Sequence, residues 1–310
     1  MSQKVSIIVP CHNEEETVEL FYQAIQKTFA QLPNYQPSIL FINDGSNDQT
    51  LKKLRQLNQR TEVDNHFLSF SRQFGKEAGI YAGLKNVDGD LVTIMDADLQ
   101  DPPQMLVEMI HLLETTDYDC IGTARTDRSG EPKLRSFFSN LFYKIINRIS
   151  DTQIVPGARD FRLMRRDMVN AILEMSEYNR FSKGIFSWVG FKTKYLPYKN
   201  VERVAGQTSW NFWSLFKYSI EGITDFSTVP LIIAVWLGLL VMFIAFAGLI
   251  FIVMRSLIYG NPTKGWSSTI SIILFLGGMQ LFFLGIIGNY IGKIFLEVKK
   301  RPIYIIKERK

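Results

Sequence analysis

The chain is poor in cysteine: Cys11 and Cys120 are the two in 310 residues, and both precede the last third of the chain. A disulfide framework of the kind that staples small secreted domains is excluded, and the pair reads as reduced thiols in a cytosolic setting. The G-x-G-x-x-G run that opens dinucleotide-binding folds is missing, which disfavours dehydrogenase chemistry. Internal repeats and low-complexity stretches are missing too. No basic run is interleaved with aromatics in the manner of an RNA-binding surface, so no nucleic-acid partner is expected. The opening MSQKVSIIVP passes straight into a strand-like run and then the polar His12-Asn13-Glu14-Glu15, so no signal peptide is expected.

Charge is missing from Pro230–Met254 and from Trp266–Gly292. Each run exceeds the roughly 20 residues that cross a bilayer, so transmembrane helices are expected over 228–255 and 266–292. Beyond the second lies a basic tail, 293–310, with Lys293, Lys299, Lys300, Arg301, Lys307 and Arg309; the connection between the runs has only Arg255 and Lys264. The positive-inside rule puts the tail and the N-terminal domain in the cytoplasm and the connection outside. The net charge of +5 reads as a membrane-surface signal.

What is present before these runs is an alternation. Short apolar stretches at Val5–Pro10, Ser38–Asn43, Phe67–Ser71, Leu91–Met95 and Asp119–Thr123 predict strands, with helices over Asn13–Ala30, Thr50–Asn58 and Ala78–Leu84 between them. Such alternation predicts right-handed βαβ units, hence an α/β nucleotide-binding domain with a mainly parallel sheet. The domain is expected to span 1–208. Within it, 131–154 carries an apolar stripe at helical spacing from Leu134 to Ile149, flanked by Lys133, Arg135, Lys144 and Arg148. A core helix would carry the same stripe; the two apolar runs downstream favour a helix lying in the membrane interface. The segment 209–227, with Trp210, Phe212, Trp213 and Phe216, reads as a second juxtamembrane helix.

The stretch with the most chemistry is Leu91–Pro103, LVTIMDADLQDPP. A buried strand there delivers Asp96 and Asp98 to its C-terminal end, where open α/β sheets bind ligands. With Gln100 they form a set of hard oxygen donors, which suits Mg²⁺ or Mn²⁺ bridging a diphosphate. An isolated Asp-x-Asp is more often the acidic start of a helix.

Ile8-Val9-Pro10 with Asn13-Glu14, then Asn43-Asp44-Gly45-Ser46, then Asp96–Pro103 resemble, in order and spacing, the nucleotide-sugar motifs of the inverting family 2 glycosyltransferases on a GT-A fold. A cytosolic domain followed by two C-terminal spans is similar to the polyprenyl-phosphate glycosyltransferase group, which includes bactoprenol glucosyltransferases and dolichol-phosphate mannose synthase. The resemblance implies that Pro10, Glu14 and Asp44 line the nucleoside pocket, although Glu14 also fits a helix-start acid. It implies that Asp96, Asp98 and Gln100 hold the divalent cation. It places an acceptor-side aspartate at Asp160, for which an ordinary ion pair with Arg159 or Arg162 is the plainer reading. Arg125 and Arg203 match arginines that meet phosphates, whose planar fork binds two oxygens at once. Ser209 belongs to the last motif, but Trp210 stands where some relatives have lysine, which leaves the role of Ser209 open.

The implied reaction is transfer of a sugar from a UDP-sugar, glucose foremost, to undecaprenyl phosphate at the inner leaflet of a bacterial cytoplasmic membrane. N-acetylglucosamine, galactose, mannose from GDP-mannose and an aminoarabinose derivative remain alternatives, as does a homo-oligomeric state. A processive polysaccharide synthase would usually carry more spans and a Gln-x-x-Arg-Trp motif, which is missing. A non-catalytic nucleotide-sugar-binding scaffold would not need the acidic cluster.

Overall fold

The computed structural model describes residues 2–125, 147–148, 155, 157–198, 229–259 and 265–310. The Leu134–Ile149 stripe (residues 147–148 apart), the 209–227 segment, Arg203 and Ser209 lie outside them.

Among the described residues eight strands form one sheet: β1 (Gln3–Cys11), β2 (Tyr35–Asn43), β3 (Asp64–Phe70), β4 (Leu91–Ile94), β5 (Cys120–Arg125), β6 (Ala158–Arg165), β7 (Thr193–Tyr198) and β8 (Ile306–Arg309), in the spatial order β7-β5-β6-β4-β1-β2-β3-β8. The centre is β1, whose Val5, Ile7, Ile8 and Val9 are fully buried. Side chains alternate across a strand, so Ile7 and Val9 feed one core while Ile8 feeds the other. On the first face pack α1 (Val18–Phe29), α2 (Thr50–Leu57) and α4 (Met105–Thr115). On the second pack α3 (Lys76–Asn86), α5 (Arg166–Glu174) and α6 (Ser182–Trp188). The result is helices on both faces of a sheet.

Helix α3 lies unusually close to β1 because its packing face is made of small residues. A Cβ on Gly83 would sit 2.1 Å from Ile8 Cγ2, so only glycine allows that approach.

The expected parallel sheet is found over β4-β1-β2-β3, and again between β5 and β7. The remainder departs from it. Strand β6 runs antiparallel between β4 and β5; its sequence ARDFRLMR offers no apolar run and predicts no strand. Its inward residues still alternate, Phe161 and Leu163 to one core and Met164 to the other. The first helix begins at Val18 rather than Asn13. Residues before it are held by the loop after β2: Asn13 N donates to Ser46 Oγ and Asn47 N donates to Asn13 Oδ1.

The two apolar runs form α7 (Val229–Tyr259) and α8 (Trp266–Lys299), both long and apolar enough to cross a membrane. Helix α8 extends seven residues beyond the expected end at Gly292. The basic tail is a further correction: its last residues are β8, paired antiparallel with β3. Pairing is reinforced by Phe67 and Lys310, which exchange both backbone hydrogen bonds, and by a two-point Arg55–Glu308 ion pair.

Candidate functional site

The site forms where β1, β2 and β4 end. Parallel pairing runs to Ile8–Ile94 between β1 and β4 and to Cys11–Asn43 between β1 and β2. Strand β4 stops level with Ile8, while β1 and β2 run on together to Cys11 and Asn43, and these ends present Pro10, Asp44 and Asp96 along one edge, the usual ligand edge of an open α/β sheet. From the other side comes β6, with Arg162 opposite Ile94. Two residues further along that antiparallel register, Asp96 comes beside Asp160.

Two carboxylates so placed repel one another unless a cation intervenes. The cation is Lys76, the first residue of α3. Its Nζ lies 2.6 Å from Asp96 Oδ1 and 2.7 Å from Asp160 Oδ2. Burial alone would raise the Asp160 carboxyl; Lys76, with Lys183 and Arg162 nearby, outweighs it and holds the group well below the usual carboxylate range. Burial likewise opposes the Lys76 ammonium, but the two carboxylates prevail and shift it upward. The next residue, Glu77, turns away toward α6, where it accepts bonds from the Ser182 backbone N–H and hydroxyl. Burial pushes its carboxyl up to about 7.

The turn after β4 is organised by Asp98 and Leu99. Leu99 has φ 57°, and Asp98 Oδ1 accepts the Gln100 N–H at 3.1 Å. Asp98 itself is buried. Beyond it Asp101, also buried, accepts a hydrogen bond from the Tyr198 hydroxyl at the end of β7. Arg159 reaches toward both Asp101 Oδ1 and Gln100 Oε1, each at 3.5 Å. Burial raises the Asp101 carboxyl despite Arg159 and Tyr198.

Asp44 is buried, and its two carboxylate oxygens accept the N–H groups of Phe74 and Gly75 at 2.6 and 2.8 Å. The bonds assign it to holding the loop that leads into Lys76. Glu14 Oε2 accepts the Thr17 hydroxyl at 2.7 Å, and Glu14 lies three residues ahead of the N-cap of α1. Arg125 ends β5, its backbone N–H bonded to Gly157 O. Gly157 is obligatory there: φ is +78°, and a Cβ would lie 2.7 Å from Arg125 O.

Asp96 and Asp160 thus meet at Lys76, Asp98 and Gln100 lie in the turn that follows β4, and Pro10 and Asp44 lie on the same sheet edge. Asp160 does not take Arg159 or Arg162 as its close ion-pair partner, the plainer reading of its sequence. Arg159 goes to Asp101, and Arg162 is buried with its guanidinium 3.7 Å over the Phe186 ring. Sequence reasoning missed Lys76, Asp101 and Tyr198. Asp101 sits inside the acidic block and could have been found; Lys76 carries no local signal beyond its place before a small-residue helix. Among the described residues no group of three or more His, Cys, Asp or Glu forms a ready-made metal cage.

Residues 6–173 match glycosyl transferase family 2, a stretch that runs from β1 through Asp160 into α5. The chain belongs to that family, and is a glycosyltransferase. It is 43% identical over 304 residues to a putative glycosyltransferase, CsbB, of Bacillus subtilis, covering 98% of this chain and 91% of that one. It is 42% identical over 307 residues to a prophage bactoprenol glucosyl transferase homolog of Escherichia coli K12, covering 99% of each. A bactoprenol glucosyl transferase of Shigella phage SfX is also 42% identical, over 99% of this chain and 100% of its own. Among solved structures, the mannosyltransferase PcManGT of Pyrobaculum calidifontis, in complex with GDP-Man and Mn²⁺, superposes with a TM-score of 0.53 over 73% of this chain and 64% of its own at 16% identity, a likeness of fold.

Proposed function

We propose that the protein transfers glucose from UDP-glucose to undecaprenyl phosphate at the cytoplasmic face of a bacterial inner membrane, inverting the anomeric centre to give a β-linked lipid-phosphate sugar. The carrying observation is that the 42% identity to the bactoprenol glucosyl transferases comes from a match spanning 99% of the chain, a span that takes in both apolar helices and the acidic turn.

A divalent cation fits the site's chemistry. Asp96 already holds a cationic group against its oxygens, and the donors on offer are hard oxygens from Asp96, Asp98 and the Gln100 amide. So few protein ligands suit Mg²⁺ or Mn²⁺, which complete their shells with water and substrate phosphate. When bound, the ion supplies Lewis-acid stabilisation of the departing nucleoside diphosphate. The protein's own part is positioning. Asp44 holds the loop before Lys76, and Lys76 keeps Asp96 and Asp160 together despite their charge. An acceptor phosphate is anionic near neutral pH and needs no strong base. Asp160, held ionised by Lys76, orients the acceptor side. Arg125 and Arg203 would screen phosphates, and the rate gain comes from aligning two anions.

Membrane residence is supported by the exposed apolar flanks of α7 and α8, including Trp236, Phe243 and Leu281. The return of β8 to the sheet favours an even number of crossings between Tyr198 and Ile306, so the domain and tail share one side; the positive-inside rule favours the cytoplasm. A reporter after Lys310 should then be cytoplasmic and one near Asn261 external.

The decisive experiment incubates purified full-length protein with undecaprenyl phosphate and a panel of nucleotide sugars, with Mn²⁺, Mg²⁺ or a chelator. Cation-dependent formation of β-linked glucosyl lipid, preferred over the other sugars, is expected. Preference for another donor would overturn the glucose assignment, and no lipid product from any donor would overturn the reaction.

A further inference from the structure

The tail does something a solvated basic segment would not: it inserts an aromatic side chain behind the active-site loop. Helix α8 ends at Lys299, Lys300 adopts φ 47°, and Ile303 and Tyr304 then pack on the core beneath α3. The Tyr304 ring stacks on Phe70 at 5.1 Å with planes 18° apart, and meets Tyr81 of α3 edge-on at 6.3 Å. Its hydroxyl accepts from Asn86 Nδ2 at the far end of α3. Phe70 in turn meets Phe74 edge-on at 5.7 Å. Phe74 and Gly75 are the residues whose N–H groups Asp44 holds, and Lys76 follows directly.

The same segment is anchored to the apolar helix it leaves. Glu297, in the last turn of α8, accepts the Tyr178 N–H at 2.7 Å. Tyr178 begins the loop that reaches Arg180, stacked 4.4 Å over Tyr81, and Ser182, bonded to Glu77. Contacts therefore close a ring from α8 through Tyr304 and α3 back to α8, with Lys76 at the head of α3. Offset and edge-on aromatic contacts fix ring orientation as well as burying area.

We propose that Tyr304 is a positioning residue: as the wedge between β3 and α3, it makes the second apolar helix and the loop carrying Lys76 one rigid unit, so that Lys76 meets Asp96 and Asp160 at the height set by that helix. The consequence for lipid transfer rests on the function proposed above; the rigid-unit part does not.

The test uses full-length protein in lipid nanodiscs with Tyr304→Ala, Tyr304→Leu and Tyr304→Phe. Hydrogen exchange of the amides from Phe74 to Ile80 reads the loop directly. In the Ala and Leu variants this exchange should accelerate, and kcat should fall by about 10–100-fold, as expected when reacting groups are misplaced by a remote change. KM for the nucleotide sugar should move by less than about 3-fold, because a positioning loss falls on the transition state. Tyr304→Phe keeps the stack and should restore both readouts. Exchange and kcat at wild-type levels in Tyr304→Ala would overturn the proposal. So would global unfolding of both Ala and Leu variants, which would give Tyr304 a folding role alone. If wild type transferred no sugar to lipid, the exchange readout would still decide the rigid unit.

Discussion

The two halves of the sheet follow opposite rules. In the parallel half, β4-β1-β2-β3, strands are short apolar runs buried on both faces, and the chemistry sits just past their ends. In the other half, β6 carries Arg159, Asp160, Arg162 and Arg165 within its eight residues, and β5 and β7 end in the charged or hydroxyl groups Arg125 and Tyr198. The first half is a scaffold whose parallel register brings the residues after its strands to one edge. The second is interrupted by an antiparallel strand whose register sets Asp160 against Asp96. The difference teaches that the site's two walls are specified by different physics: burial on one side, ion pairing across the seam on the other.

The sharpest way to break the comparison is at the seam. Asp96→Ala should lower transfer by at least about a hundred-fold, since a preorganised charge aimed at the developing transition state is worth that much. The protein should remain folded, because Asp96 is partly exposed and its bonds go to Lys76. Turnover near wild type in saturating Mn²⁺ would remove Asp96 from the cation site.

In the parallel half the expected loss is of stability rather than rate. Gly83→Ala drives a methyl group into Ile8, and overpacking of this kind costs about 1–3 kcal/mol. The melting temperature should fall by about 2–4 °C per kcal/mol, with kcat preserved in the folded fraction. An unchanged melt would mean that α3 can shift outward, and that its close approach is not required.

Across the second half, Tyr198→Phe removes the hydroxyl that donates to buried Asp101. Leaving a buried acceptor short of a donor costs about 1–3 kcal/mol, partly offset by Arg159. Equilibrium denaturation should report it, and identical midpoints would show that water or Arg159 replaces the bond.

The last effect is a pH dependence. Glu77 titrates near 7 when folded because burial disfavours its charge. Its unfolded carboxyl is lower, so between the two values the folded state holds more protons and stability must fall as pH rises through that window. Glu77→Gln should flatten the profile of melting temperature between about pH 5 and pH 7. A slope equal to wild type would place the titration elsewhere.

How much of this was legible follows from the same contrast. Strands with apolar runs, such as VSIIVP and SILFIN, declare themselves, because burial on both faces requires every side chain to be apolar. Asp96 and Asp98 declare themselves because they follow such a strand within five residues. Strand β6 did not, since its charged residues hide an alternation of only three or four buried side chains. Strand β8 did not either, because IKER reads as a charged tail until an edge is available to pair with. Lys76 was invisible as a site residue for a different reason: its partners lie 20 and 84 positions away.

By itself the amino-acid sequence determined the parallel α/β scaffold, the pair of long apolar helices and the acidic turn after β4, because each is written in neighbouring residues through hydrophobic period, run length or motif spacing. Only the tertiary structure decided that Asp160 faces Asp96, that Lys76 joins them, and that the end of the chain returns to the first domain's sheet. Those outcomes depend on register and edge pairing between segments far apart in the chain. Backbone hydrogen bonds and ion pairs of that kind leave no periodic trace in either partner.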